Sequence, residues 1–119
     1  MSDFDCYLVP VPRAHKHLYE EIARISDVVL RENGALQVID CWLDESGAAP
    51  GSSPNFFQAA GTREGETVVV AFAEWPDKRT RDAGLEKAMS DPRMQFECNP
   101  SAFDGDRLIA AGFKPVLGG

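Results

Sequence analysis

Apolar and polar positions change period several times along the chain, and each change marks an element. Residues 4 to 11, Phe-Asp-Cys-Tyr-Leu-Val-Pro-Val, are rich in β-forming types, and Pro10 restricts its neighbourhood to an edge or a strand end. From Arg13 to Glu32 the apolar residues Leu18, Ile22, Ile25 and Val29 recur at spacings of four, three and four, which is one stripe of a helix. Asn33-Gly34 supplies its C-terminal stop. Ala35 to Leu43 reads as a second strand, and 66 to 75, Glu-Thr-Val-Val-Val-Ala-Phe-Ala-Glu-Trp, as a third and the strongest. Pro76-Asp77 opens a second long helix with Asp77 as N-cap, and Asp91-Pro92 ends it, because the residue before a proline avoids helical geometry. Its apolar stripe, Ala83, Ala88 and Met89, is thin. Asp104-Gly105 predicts a turn, and Asp106 to Val116 a fourth strand.

This β-α-β order occurs twice, which predicts a single α+β domain over 1–119, ferredoxin-like βαββαβ with a four-stranded antiparallel sheet. The connection from Asp44 to Gly65 is Gly-, Ser- and Pro-rich, broken by Phe56-Phe57, and a connection of that length is functional, mobile or partly structured.

Two helices cover one face of such a sheet, so the other face of a monomer should alternate to polar residues. It does not. In strand two, Leu36, Val38, Asp40 and Trp42 oppose Gln37, Ile39, Cys41 and Leu43. In strand three, Val69, Ala71, Ala73 and Trp75 oppose Val68, Val70 and Phe72. An apolar face of that extent needs a cover, in part from the long connection and most simply from a second copy of the chain, stacked face to face as an isologous dimer. Function is then expected at the face the protomer leaves uncovered.

Composition narrows the partners. The net charge of -7 gives no general attraction to nucleic acid or anionic membranes, and no run approaches the ~18 apolar residues of a membrane span. Lys78, Arg79 and Arg81 cluster at a helix start and read as a solvated face. Cys6, Cys41 and Cys98 are odd in number and contain no Cys-x-x-Cys pair, so neither a disulfide framework nor a zinc site is expected. With no signal-peptide pattern at the N-terminus, a reducing cytoplasmic location is expected.

Among residues that carry chemistry, Asp40 stands out, because strand alternation sets it between Val38 and Trp42 on an otherwise apolar face. Loss of hydration there would raise its pKa and suit it to proton transfer, which makes it the candidate catalytic residue. Its structural alternative is a rim carboxylate or the partner of an arginine. Asp40, Trp42 and Trp75 are the candidate ligand-binding residues, with core or dimer packing as the alternative for the two tryptophans. His15 and His17, two apart, fall on different sides of a helix, so no metal site is expected. The chain has no nucleophile elbow and no phosphate-binding glycine loop, and no cofactor is called for. Arg93 and Arg107 read as salt-bridge partners of Asp91, Asp104 or Asp106 ahead of anion ligands.

Several stretches, in order, carry a resemblance: Val9-Pro10-Val11-Pro12, Gly34-Ala35-Leu36, Asp40-Cys41-Trp42, Arg81-Asp82-Ala83, Met89-Ser90-Asp91-Pro92-Arg93-Met94 and Phe103-Asp104-Gly105. With these the chain resembles the small bacterial YbaA-like family, domain of unknown function family 1428, within the dimeric α+β barrel superfamily. The resemblance implies a ferredoxin-like protomer, a homodimer and no established activity. The chain departs from that pattern at Ala102, Ala111 and Phe57-Gln58. The functional expectation is a homodimeric α+β barrel that binds a small, partly apolar ligand between a sheet and its cover. The alternatives are a cofactor-independent monooxygenase or isomerase using Asp40, and a non-catalytic structural or interaction dimer.

Overall fold

The computed structural model describes residues 2–45, 55–94 and 102–118. The β-rich runs form β1 (Asp3–Pro12), β2 (Gln37–Trp42), β3 (Glu66–Trp75) and β4 (Ile109–Phe113). They build one antiparallel sheet in the order β2-β3-β1-β4, the ferredoxin-like arrangement. Pairing of β1 with β4 stops at Leu8, so β1 is central only along its first half. Pro10, which has no N–H to donate, lies in the half with one free edge.

A short 3₁₀ turn, Arg13–His15, leads into α1 (Lys16–Glu32). The helix ends as Asn33-Gly34 directs: Gly34 at φ 111° donates to Arg31 O at 3.1 Å, and Ala35 to Leu30 O at 3.0 Å. These two bonds satisfy the last carbonyls. α3 (Lys78–Ser90) starts on Asp77, whose carboxylate accepts from the Thr80 N–H at 2.7 Å. Between β2 and β3 lies a helix that periodicity did not reveal, α2 (Phe56–Ala60), capped reciprocally by Asn55 and Gln58. The rest of the central connection, 46–54, and Cys98 lie outside the described residues.

The register assigns the faces. Asp5, Tyr7 and Val9 of β1 share a face with Val38, Asp40 and Trp42 of β2 and Val69, Ala71, Ala73 and Trp75 of β3. This face carries α1 and α3. One core cluster there joins Val29, Leu30, Ala35, Ala73, Trp75 and Ala88, and another joins Val9, Val11, Tyr19, Val69 and Ala102. The helical stripe is rotated from the one the spacing predicts: Tyr19, Val29 and Leu30 are buried, whereas Ile25 is 39% exposed. α3 closes on the sheet through Gly84, where a Cβ would stand 2.5 Å from both Asn33 O and the Trp75 ring.

On the opposite face α2 covers only the corner around Pro10 and Val68, both buried. Ile39 (42%), Phe72 (39%), Ile109 (52%) and Phe113 (55%) are left exposed beside Cys41. The apolar face inferred from sequence is therefore present, and among the described residues α2 alone lies over part of it. β4 is shorter than expected, because Gly105–Arg107 forms a 3₁₀ turn capped by Asp104.

Candidate functional site

A cavity of about 340 Å³ lies between α1 and the sheet, on the covered face and not the bare one. Its floor is Tyr7 and Val9 of β1, Val69 and Ala71 of β3, and Val38 and Asp40 of β2. Its roof is the stripe Tyr19, Ile22, Ala23, Ser26 and Leu30 of α1, and Met89, Met94, Phe103 and Leu108 close the sides. The space exists because small side chains meet: Ala23 and Ser26 face a floor that contains Ala71, where larger residues would have packed to ordinary interior density.

At the rim the Tyr19 hydroxyl donates to Asp40 Oδ1 at 2.6 Å. Tyr19 is held by Phe103 and Trp42, with ring centroids 5.7 and 6.4 Å away. Burial first, and then the bond to Asp40, drive the Tyr19 pKa far above that of a free phenol, so it stays a neutral donor. Asp40 is solvent-exposed on the edge strand, and no hydrogen bond among the described residues reaches its Oδ2. On the floor Tyr7 has its pKa pushed up to about 12, by burial and then by Asp5, against a smaller downward pull from Arg81.

Beside Tyr7 sits a polar cluster that sequence reasoning missed. Asp5, with 4% of its side chain exposed, accepts from Arg81 Nη2 at 2.7 Å and Nε at 3.0 Å, and from the Trp75 indole N–H at 3.0 Å. The carboxylate raises the Arg81 pKa beyond its usual range. A signal was present, since Asp5 alternates with Phe4 and Cys6 as Asp40 does with Ile39 and Cys41. Tyr19 and Tyr7 were likewise passed over, their polar tips hidden in apolar patterns.

The structure brings Asp40 to the cavity and keeps both tryptophans out of its lining. Trp75 is fully buried in the core, its one polar atom bonded to Asp5. Trp42 packs on Tyr19, carries the Lys16 ammonium 5.6 Å from its ring centre, and borders a separate hollow with Cys41, Phe56 and Val70. His15 Nδ1 lies 3.1 Å from Ala102 O, and His17 is exposed. Among the described residues no group of three or more acidic, His or Cys side chains is placed to hold a metal ion. Arg93 pairs with Asp91, as expected, and with Glu32. Arg107 pairs with Glu66 at 2.8 Å and donates to Gly61 O at 2.7 Å, in place of the acidic neighbours in its own turn.

Residues 3–105 match the family described as protein of unknown function (DUF1428). The chain belongs to that family. It is 37% identical over 117 residues to the uncharacterized protein YbaA of Escherichia coli K12, covering 98% of each chain, and equally similar to YbaA of Shigella flexneri. Among solved structures it is similar to a dimeric ferredoxin-like protein from an uncultured marine organism, with a TM-score of 0.55, 12% identity and 99% of each chain covered. That likeness establishes the fold of the DUF1428 chain and extends no further. Every stretch that carried the family resemblance falls among the described residues, and four of them reach the cavity, through Val9, Asp40, Met89 with Met94, and Phe103. No helix among the described residues is long and apolar enough to cross a membrane.

Proposed function

We propose that the protein is a cytoplasmic homodimer that binds a small, partly apolar ligand beneath α1. The cavity carries this reading: apolar walls enclose a volume in the range of ligand sites, with a few convergent polar groups, Tyr7, Ser26 and the Tyr19–Asp40 pair. The bare face with Ile39, Phe72, Ile109 and Phe113 supports self-association, and the free thiols of Cys6 and Cys41 suit a reducing compartment.

Two measurements test it. Light scattering at micromolar concentration should give twice the 13.0 kDa chain mass, and a monomer would remove the dimer. A broad thermal-shift screen should find ligands whose stabilisation disappears when Ala23→Phe fills the cavity. A screen without a stabilising compound, or one whose hits survive that substitution, would remove the binding site.

A further inference from the structure

Resting on the ligand-binding reading above, we infer that the cavity takes a small organic monocation: an apolar body against the floor, with an ammonium head on Asp40.

The charge of the lining is the first observation. Among the described lining residues Asp40 is the one carboxylate, and no lysine, arginine or histidine stands with it there. Tyr19 occupies Oδ1 and no other described residue bonds Oδ2, so a donor entering the cavity meets a second carboxylate oxygen. A hydrogen bond between two charged groups is roughly twice as strong as a neutral one. A carboxylate or phosphate ligand would meet the same Asp40 with no cation among the described lining residues to receive it. The Arg81 guanidinium, beside Tyr7, is engaged by Asp5 and by Asp82 at 3.0 Å.

The second observation is the surface around that head. Tyr7, Tyr19 and Phe103 present rings, and Met89 and Met94 thioethers, to one space. Ring faces attract organic cations through their quadrupoles, and polarisable sulfur fits irregular apolar bodies. The local field agrees: at the Tyr7 hydroxyl both Asp5 and Asp40 disfavour further negative charge, and Arg81 offsets only part of that.

Benzylamine, benzyl alcohol and benzoate share one ring and differ in charge, so calorimetric titration of the full chain with each, at low ionic strength, tests the inference. Benzylamine should bind at least about tenfold more tightly than benzyl alcohol, as expected for one charge-assisted contact, and benzoate should not bind. Asp40→Asn should remove most of that preference for the amine over the alcohol. Ala23→Phe, which fills the cavity, should abolish binding of the amine. Equal binding of amine and alcohol, or an amine affinity unchanged in Asp40→Asn, would overturn the cation inference while the cavity remained a ligand site. Amine binding that survives Ala23→Phe would reduce the effect to surface attraction and overturn it also. Failure of all three compounds to bind at millimolar concentration would overturn both readings.

Discussion

Removing the Arg81 guanidinium should destabilise the protein more than any other surface-reaching substitution in α3. Arg81→Met keeps much of the stem volume but leaves Asp5, only 4% exposed, with the Trp75 indole as its single partner. Breaking one member of a buried ion pair costs about 3–5 kcal/mol. Arg81 is 27% exposed and the indole bond survives, so about 2–4 kcal/mol is expected here. For a domain of this size roughly 4 °C accompanies each kcal/mol, which gives a fall in Tm of about 8–16 °C. Urea unfolding followed by circular dichroism measures the loss directly, provided the m-value is unchanged. Asp5→Asn placed on Arg81→Met should recover part of it, because the amide removes the stranded charge and still offers an oxygen to Trp75. The resulting double-mutant cycle should give a coupling above about 1 kcal/mol. A loss below about 0.5 kcal/mol in Arg81→Met, or a cycle that is additive, would refute the buried-pair reasoning.

Gly84→Ala should cost about 1–3 kcal/mol, because its methyl group would stand 2.5 Å from Asn33 O and the Trp75 ring and force α3 away from the sheet; thermal unfolding checks this. Phe113→Glu, on the bare face, should shift light scattering to the monomer mass while circular dichroism stays that of the wild type; a persisting dimer would place the interface elsewhere. The Glu66–Arg107 pair predicts a sign with pH. Arg107 holds the Glu66 carboxyl pKa below its ordinary value in the folded chain, so its stabilisation is present above the unfolded carboxylate range and is lost as pH falls through the lower, folded pKa. Arg107→Gln should therefore be less stable than wild type at pH 7, and the gap should close below about pH 4; a gap of constant size down to pH 3 would contradict this.

Local signals carried most of the architecture. β3 was legible to the residue as 66–75, because Thr67, three valines, Phe72 and Trp75 run between a Gly65 turn and Pro76. Asp77 and Gly34 were legible because caps are local chemistry. The helical stripe of α1 was misaligned because its true inward face includes Ala23 and Ser26, small or polar residues that a hydrophobic count passes over. Those same residues open the cavity, so the site was hidden by the feature that creates it. Asp40 was legible as a lone acid in an apolar alternation, whereas its partner Tyr19 lies 21 positions away on another element, a pairing that only the fold supplies. The direction of function also changed. Sequence pointed to the uncovered face, and the space with polar groups lies under α1.

β3 holds two unrelated jobs a single backbone apart. Val69 and Ala71 floor the cavity, while Val70 and Phe72 lie on the opposite face with Cys41 and Ile39. Losing one residue within this stretch would exchange the two sets wholesale, setting Phe72 where Ala71 makes room and an alanine where a bulky contact is wanted. Loss of two would restore the facing and merely shift it along the strand. Length changes within the family should accordingly gather in the connections and be absent from the middle of β3, or arrive there in pairs.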